Sequence, residues 1–455
     1  MVKSKALHSA AERGFTVIVT DLLRHGFDVN SNLHQSCPLH GAVEKAHLDT
    51  VRVLLDHDAD PNARNFRGQT PLHQACDLGL VQIAEILLDK GGNINATDNY
   101  SSTPLHCAVT SKSATIVSKL LKDPSIDLNV RETRGFMTNP FFAAVLGGPA
   151  GLVEPFIDYG VDINKEEPNS KMLPLHAAVS AKRLDVAQLL IRNGANVNAK
   201  LETYWGRPPL FVSIERNDES MLQQLLDAGA DPNITDNTGK TAIHAVVEFG
   251  FPHFLPVLTQ KGVDVNRQDD QFIAPIGLAL RLKKMTVAQA LLDVGATLQV
   301  FALSAGRPVS TLLHHAVLLN NTEALHFLIG KIPIDSRDAT QLTPLMVAAT
   351  KGHVDCAQIL IDNGADMEAK DPQNQTALFG AIMSQSKAMV ELSLQKGANI
   401  HVESLRGQTP LHIAVLGQNT DITKLLIERG ADPSKKDVEK KSFWQRAKQV
   451  TMQLW

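Results

Sequence analysis

Apolar residues recur along this chain in two alternating registers. The first is a compact run behind a short polar or small residue and a proline. It reads Cys37-Pro38-Leu39-His40-Gly41-Ala42, Thr70-Pro71-Leu72-His73-Gln74-Ala75, Thr103-Pro104-Leu105-His106-Cys107-Ala108 and Thr409-Pro410-Leu411-His412-Ile413-Ala414. The second is a leucine pair further on, as in Leu22-Leu23, Leu54-Leu55, Leu87-Leu88, Leu225-Leu226 and Leu291-Leu292. His40, His73 and His106 are spaced 33 residues apart. A fixed period of that length is the signature of a helical repeat array, in which no single unit buries its own apolar face.

The local chemistry predicts two helices per period. Thr70, Thr103 and Thr409 stand where a side-chain oxygen caps a helix start. The proline that follows occupies the first helical position, where its missing N–H costs nothing. The second helix is expected to stop at a left-handed glycine: Gly194, Gly229, Gly364, Gly397 or Gly430. Extended tails ending in asparagine follow, such as Asp28-Val29-Asn30 and Asp162-Ile163-Asn164, and then a projecting loop.

On these phrases the chain resembles the ankyrin-repeat family over nearly its whole length. The resemblance implies an all-α fold, an ankyrin-repeat solenoid of about thirteen helix-turn-helix units with hairpin loops. We assign the array to residues 1–433 and a C-terminal capping helix or tail to 434–455. Thirteen units whose helices pack ~8–10 Å apart would form an arc on the order of 120 Å long. Some units depart from the pattern, and the ninth-to-tenth junction is longer, with its extra residues around Val300 to Ser310. The fifth carries Phe141-Phe142 in place of leucine-histidine, with Pro149 and Pro155 in its second helix. The eighth carries Pro252 and Pro256. Proline inside a helix costs about 3 kcal/mol, so both second helices are expected to be short, shifted or kinked.

Composition narrows the function. A net charge of −4 provides no broad basic field for nucleic acid or an anionic membrane. Four cysteines, none in a Cys-x-x-Cys pair, suit a reducing, cytoplasmic setting, and a nuclear one is not excluded. Residues 1–17 lack the apolar core of a signal peptide. The longest uncharged run, 137–153, holds prolines and glycines in repeat register and is no transmembrane segment.

A search for catalytic motifs returns nothing. Gly239-Lys240-Thr241 resembles the end of a phosphate-binding loop, but Ile234 stands where that loop needs glycine. His314-His315 are consecutive on a helix and diverge by about 100°. Asp269-Asp270 reads as a solvated loop tip. The resemblance implies that the phrase histidine hydrogen-bonds to the neighbouring unit. It also implies that tail asparagines such as Asn30, Asn62 and Asn129 are substrates for hydroxylation. We therefore expect no enzyme, no metal and no cofactor.

What remains is a non-enzymatic scaffold or adaptor, an array read as monomeric, that binds a protein on its concave and loop-tip face. The alternative is a regulatory or targeting region of a larger channel, kinase or ubiquitin-ligase assembly. Aromatics make up only 5% of the chain, yet several fall on the loops between units, and interfaces favour Trp, Tyr and Arg. The candidate partner-binding residues are Phe66, Arg67, Tyr100, Phe136, Tyr204, Trp205, Arg207 and Phe272. Phe136, Phe141, Phe142, Tyr204, Trp205, Arg207 and Phe211 read together as a central apolar-aromatic site. Phe443, Ala447, Val450 and Leu454 recur at helical spacing in a lysine-rich tail. That tail is either a cap or a basic amphipathic helix touching a membrane or partner, and the cap is preferred.

Overall fold

In a computed structural model, residues 2–33, 35–133, 137–298, 310–436 and 439, 442 and 445 are described. Among these, 26 α-helices form thirteen consecutive pairs, one pair per predicted unit. The chain divides into two compact bodies, Met1–Asp231 with seven pairs and Pro232–Trp455 with six. The segment 434–455, predicted to cap the array, lies almost entirely outside the described residues.

From the second unit on, each first helix is seven or eight residues long and mostly buried. Pro71–Asp77 buries Pro71, Leu72, His73, Ala75 and Cys76. It packs against Pro38–Glu44 before it and Pro104–Thr110 after it. The second helices bury one stripe, such as Val51, Leu54 and Leu55 in Leu48–Asp56. Full burial of a leucine is worth about 1.5–3 kcal/mol, and here a leucine needs the neighbouring unit to achieve it.

The phrase histidine joins one unit to the next. Nε2 of His40, His73 and His106 lies 3.0, 3.0 and 3.2 Å from the carbonyls of Gln69, Ser102 and Thr138 in the following unit. In the second body His244 and His314 reach Ile273 and Leu342 in the same way. A carbonyl only accepts, so the proton sits on Nε2 and Nδ1 is the acceptor. That Nδ1 receives the backbone N–H of Thr70 in His73 and of Thr103 in His106, both at 3.1 Å. The hydroxyls of Thr70 and Thr103 lie 2.9 and 2.8 Å from the same nitrogens. Both threonines thus orient the imidazole; of the two, Thr103 also caps the helix, its hydroxyl accepting the His106 N–H at 3.4 Å, whereas Thr70 makes no such bond. In the sixth unit Leu173 replaces it, and the buried Nδ1 of His176 has no hydrogen-bond partner among the described residues.

Second helices end where predicted, with Gly194, Gly229, Gly364, Gly397 and Gly430 at φ between 88° and 96°. Behind them the tail asparagines form a second ladder. The Asn62 amide donates to the Gly91 carbonyl at 2.9 Å and accepts the Asn93 N–H at 2.7 Å, one unit on.

The two proline-bearing units behave differently. In the fifth, the second helix runs its full nine residues, Ala150–Asp158, with Pro149 as N-cap and Pro155 inside. The expected shortening does not occur. The residue that would have received the bond from position 155 is the exposed Gly151, whose carbonyl water can satisfy. In the eighth, Pro252 opens a 3-10 turn, Pro252–Phe254, and the α-helix Leu255–Gln260 is only six residues long.

Burial disfavours the imidazolium cation, so His40, His73, His244 and His314 titrate below the usual value, and His106 and His176 at about 4. In the unfolded chain each titrates near 6.5. Stability is therefore complete above about pH 6.5 and is lost as pH falls toward 4, by roughly 3 kcal/mol each for His106 and His176. Denaturant midpoints are expected to fall steadily from pH 7 to pH 5, and His106→Gln to flatten that slope.

Candidate functional site

Several loops between units are tight turns built on one buried or half-buried side chain. Asn65 Oδ1 receives the backbone N–H groups of Arg67 and Gln69 at 2.9 and 3.0 Å. Asp98 does the same for Tyr100 and Ser102 at 2.8 and 2.9 Å. Asp269 does so for Gln271 and Ile273, both at 2.9 Å. Asp269 is buried, so it is a structural acceptor and not the solvated carboxylate expected from sequence.

Neighbouring tips are also joined through their backbones. The Asn99 N–H donates to the Arg67 carbonyl at 3.0 Å, and the Asn99 amide to the Phe66 carbonyl at 3.2 Å. One unit further, the Thr133 N–H and hydroxyl donate to the Tyr100 carbonyl at 2.8 and 2.9 Å. In the second body the Asp270 N–H reaches the Thr238 carbonyl. Side chains on these tips therefore stand on a fixed backbone.

The predicted partner-binding residues separate into groups. Phe66 is 59% exposed, with the Arg67 guanidinium 5.2 Å from its ring centre. Arg67 and Tyr100 line one concave cavity of about 390 Å³ together with Gln69, Asp77, Asp98 and Ser102. Tyr204 and Trp205 are 62% and 67% exposed. Both adopt left-handed backbone, φ 54° and 64°, directly before Gly206 at 69°. Such conformations cost of order 1 kcal/mol or more in non-glycine residues and concentrate at functional sites. Phe272 is exposed on a second-body tip and is likewise left-handed. Phe136 lies outside the described residues.

The central aromatic cluster does not form as one surface. Phe141, Phe142 and Phe211 are buried core residues, with the Phe141 ring 5.7 Å from that of Phe156. Phe142 and Phe211 fill the slot that histidine occupies elsewhere. Arg207 is mostly buried: its carbonyl lies 3.0 Å from His176 Nε2 and its guanidinium 3.6 Å from Glu215. Among the described residues of that cluster, Tyr204 and Trp205 are the ones that are well exposed.

Sequence reasoning missed Gln69, Asp77 and Thr110, which also line the cavity. Asp77 and Thr110 each stand four residues after a phrase histidine, one helical turn along the same face, and that offset was the available signal. The four cysteines offer no nucleophile. Burial holds the thiols of Cys37, Cys76 and Cys107 protonated and pushes Cys356 up to about 11. Among the described residues, no three His, Cys, Asp or Glu side chains are grouped to hold a metal ion.

A family model described as ankyrin repeats (3 copies) matches residues 2–65, 62–132, 126–201, 210–302, 276–371 and 364–437. The chain belongs to the ankyrin-repeat family. Among curated proteins it is similar to alpha-latrocrustotoxin-Lt1a of Latrodectus tredecimguttatus, 30% identical over 31% of this chain and 11% of that protein. It is 25% identical to the E3 ubiquitin-protein ligase KEG of Arabidopsis thaliana over 50% of this chain and 17% of that one. With Rabankyrin-5 of Mus musculus the figures are 30%, 45% and 18%. The match thus spans less than a fifth of each of these relatives. The solved human ASB11 ankyrin repeat domain aligns with 50% of this chain and 98% of its own, at 24% identity and a TM-score of 0.43.

Ankyrin repeats mediate protein–protein interaction, and the array here places its variable side chains on bonded tips. Among the described residues no helix is long and apolar enough to cross a membrane. Gly68 tests the rigidity of the tips. It sits at φ 73°, and a Cβ there would come within 2.3 Å of Asn99 Oδ1. Gly79 has a similar φ of 70° but open space around it. Gly68→Ala is expected to cost about 1–3 kcal/mol in denaturant unfolding, clearly more than Gly79→Ala, which carries only the left-handed penalty.

Proposed function

We propose that this ankyrin array is a non-enzymatic scaffold or adaptor that takes a polar segment of a partner protein along the concave face of its first body. The reading rests mainly on Arg67 and Tyr100. These two residues, chosen from sequence as tip contacts, share one concave cavity with Asp77 and Gln69. Phe66 extends that surface outward, and the strained, exposed pair Tyr204–Trp205 offers a second anchor further along the same body. On this reading residues 1–433 are the array, 434–455 close its end, and the four buried thiols suit an intracellular setting.

A second reading is supported by the comparisons. The match covers only a small part of the ubiquitin ligase KEG and of the channel pyrexia, 17% and 15% of their lengths. An array of this kind then acts as the targeting or regulatory region of a larger assembly. Both readings use the same face.

The test is quantitative capture from lysate by the full chain carrying Arg67→Ala and Tyr100→Ala, set beside one carrying Tyr204→Ala and Trp205→Ala. Loss of a true anchor is worth about 2 kcal/mol, some thirtyfold in affinity. At least one double variant is expected to lose partners to that degree while its melting temperature stays within ~2 °C of the parent. Partner capture unchanged in both would overturn the assignment of the face.

A further inference from the structure

The asparagine ladder contains its own recognition rule. Asn30, Asn62, Asn95, Asn164, Asn198 and Asn233 each bond the extended tail of the next unit twice. The amide donates to a carbonyl and the amide oxygen accepts an N–H two residues later. Asn95, for example, donates to Ser125 at 2.7 Å and accepts from Asp127 at 2.9 Å. The residue bracketed by the two bonds is small or apolar and buried: Ala59, Ile126, Ala195, Ala230 and Val263 in five of these rungs. The side chain thus reads a short extended peptide with an apolar residue at its centre.

Asn129 is the exception in the first body. Its backbone N–H donates to Asp127 at 2.9 Å, but among the described residues its side chain makes no hydrogen bond, although Gly160 and Asp162 stand at the matching positions of the next tail. Beside it lies a cavity of about 270 Å³ lined by the apolar Leu128, Phe141 and Val161 and by the charged Arg131, Lys165 and Glu166. That is far more than the ~10–15 Å³ needed to hold one water. Further along, the Asn164 rung is formed normally, to Gly194 and Asn196 at 3.1 and 2.9 Å, so the gap is confined to one junction.

We propose that Asn129 and this cavity bind an extended peptide segment of a partner protein. Asn129 takes the carbonyl of one residue and the N–H two residues later, and the aliphatic side chain between them lies on the apolar part of the cavity, against Leu128 and Phe141. The occupant follows from the six internal rungs, where the same side chain holds the same kind of backbone. It is a form of recognition in which main-chain bonds supply affinity and one pocket supplies selectivity. The site lies on the tail side of units four and five, and it stands or falls separately from the concave face.

The probe is a random dodecapeptide display library selected on the full chain, with selected peptides synthesised and titrated by fluorescence anisotropy. Peptides with a central aliphatic residue are expected. Asn129→Ala should weaken them about tenfold or more, corresponding to two lost hydrogen bonds. Arg67→Ala with Tyr100→Ala should leave them unchanged. Thermal unfolding supplies the control. Asn129→Ala is expected to keep the parental melting temperature, while Asn95→Ala, which breaks a formed rung, lowers it. The proposal is overturned if no peptide is selected, if selected peptides bind Asn129→Ala equally well, or if Asn129→Ala melts as low as Asn95→Ala, which would mean that the rung is closed in solution.

Discussion

The structure depends on one hydrogen bond repeated between units, from the imidazole of a first helix to a backbone carbonyl of the next unit. It is buried, so an unpaired partner is costly, of order 1–3 kcal/mol. It is also directional. Where the histidine is present, the bond sets the loop of one unit against the helix of the one before, and so fixes where that tip stands. Burial keeps the ring neutral, and the carbonyl assigns its proton to Nε2. Apolar stacking supplies most of the energy, but it would tolerate sliding that the imidazole does not.

Much of this was legible in the chain because it is local. Where a unit has them, its proline, threonine and glycine act within a few residues of themselves. All thirteen helix pairs appear where those residues place them. The tip aromatics Phe66, Tyr204, Trp205 and Phe272 were also readable, since they stand between repeat phrases and do end up exposed.

The misreadings have physical causes. Phe141, Phe142 and Phe211 were grouped with the surface by proximity in sequence, although they occupy phrase positions and belong to the core. Pro149 and Pro155 pointed to a short, shifted or kinked helix, but the bond lost at Pro155 leaves a carbonyl facing water and the helix keeps its length. Asp269 looked like a solvated charge, yet its carboxylate closes a turn. The concave cavity and the open rung at Asn129 depend on residues some thirty positions apart, and no single repeat shows either. A periodic sequence reveals what its units share far better than where two particular neighbours fail to meet.

The bonds between tips turn the edge of the first body into a ruler. Neighbouring units are spaced by helix packing at about 8–10 Å, and an extended chain advances about 3.3 Å per residue. A partner strand laid across Arg67 and Tyr100 therefore moves from one tip to the next in about three residues, and a partner helix, at 1.5 Å per residue, in about six. Because neither tip shifts independently, a partner bound on the proposed face would have the spacing of its contact residues dictated by this chain. Inserting or deleting one residue between two such contacts would put them out of step with the tips even with every contacting side chain intact.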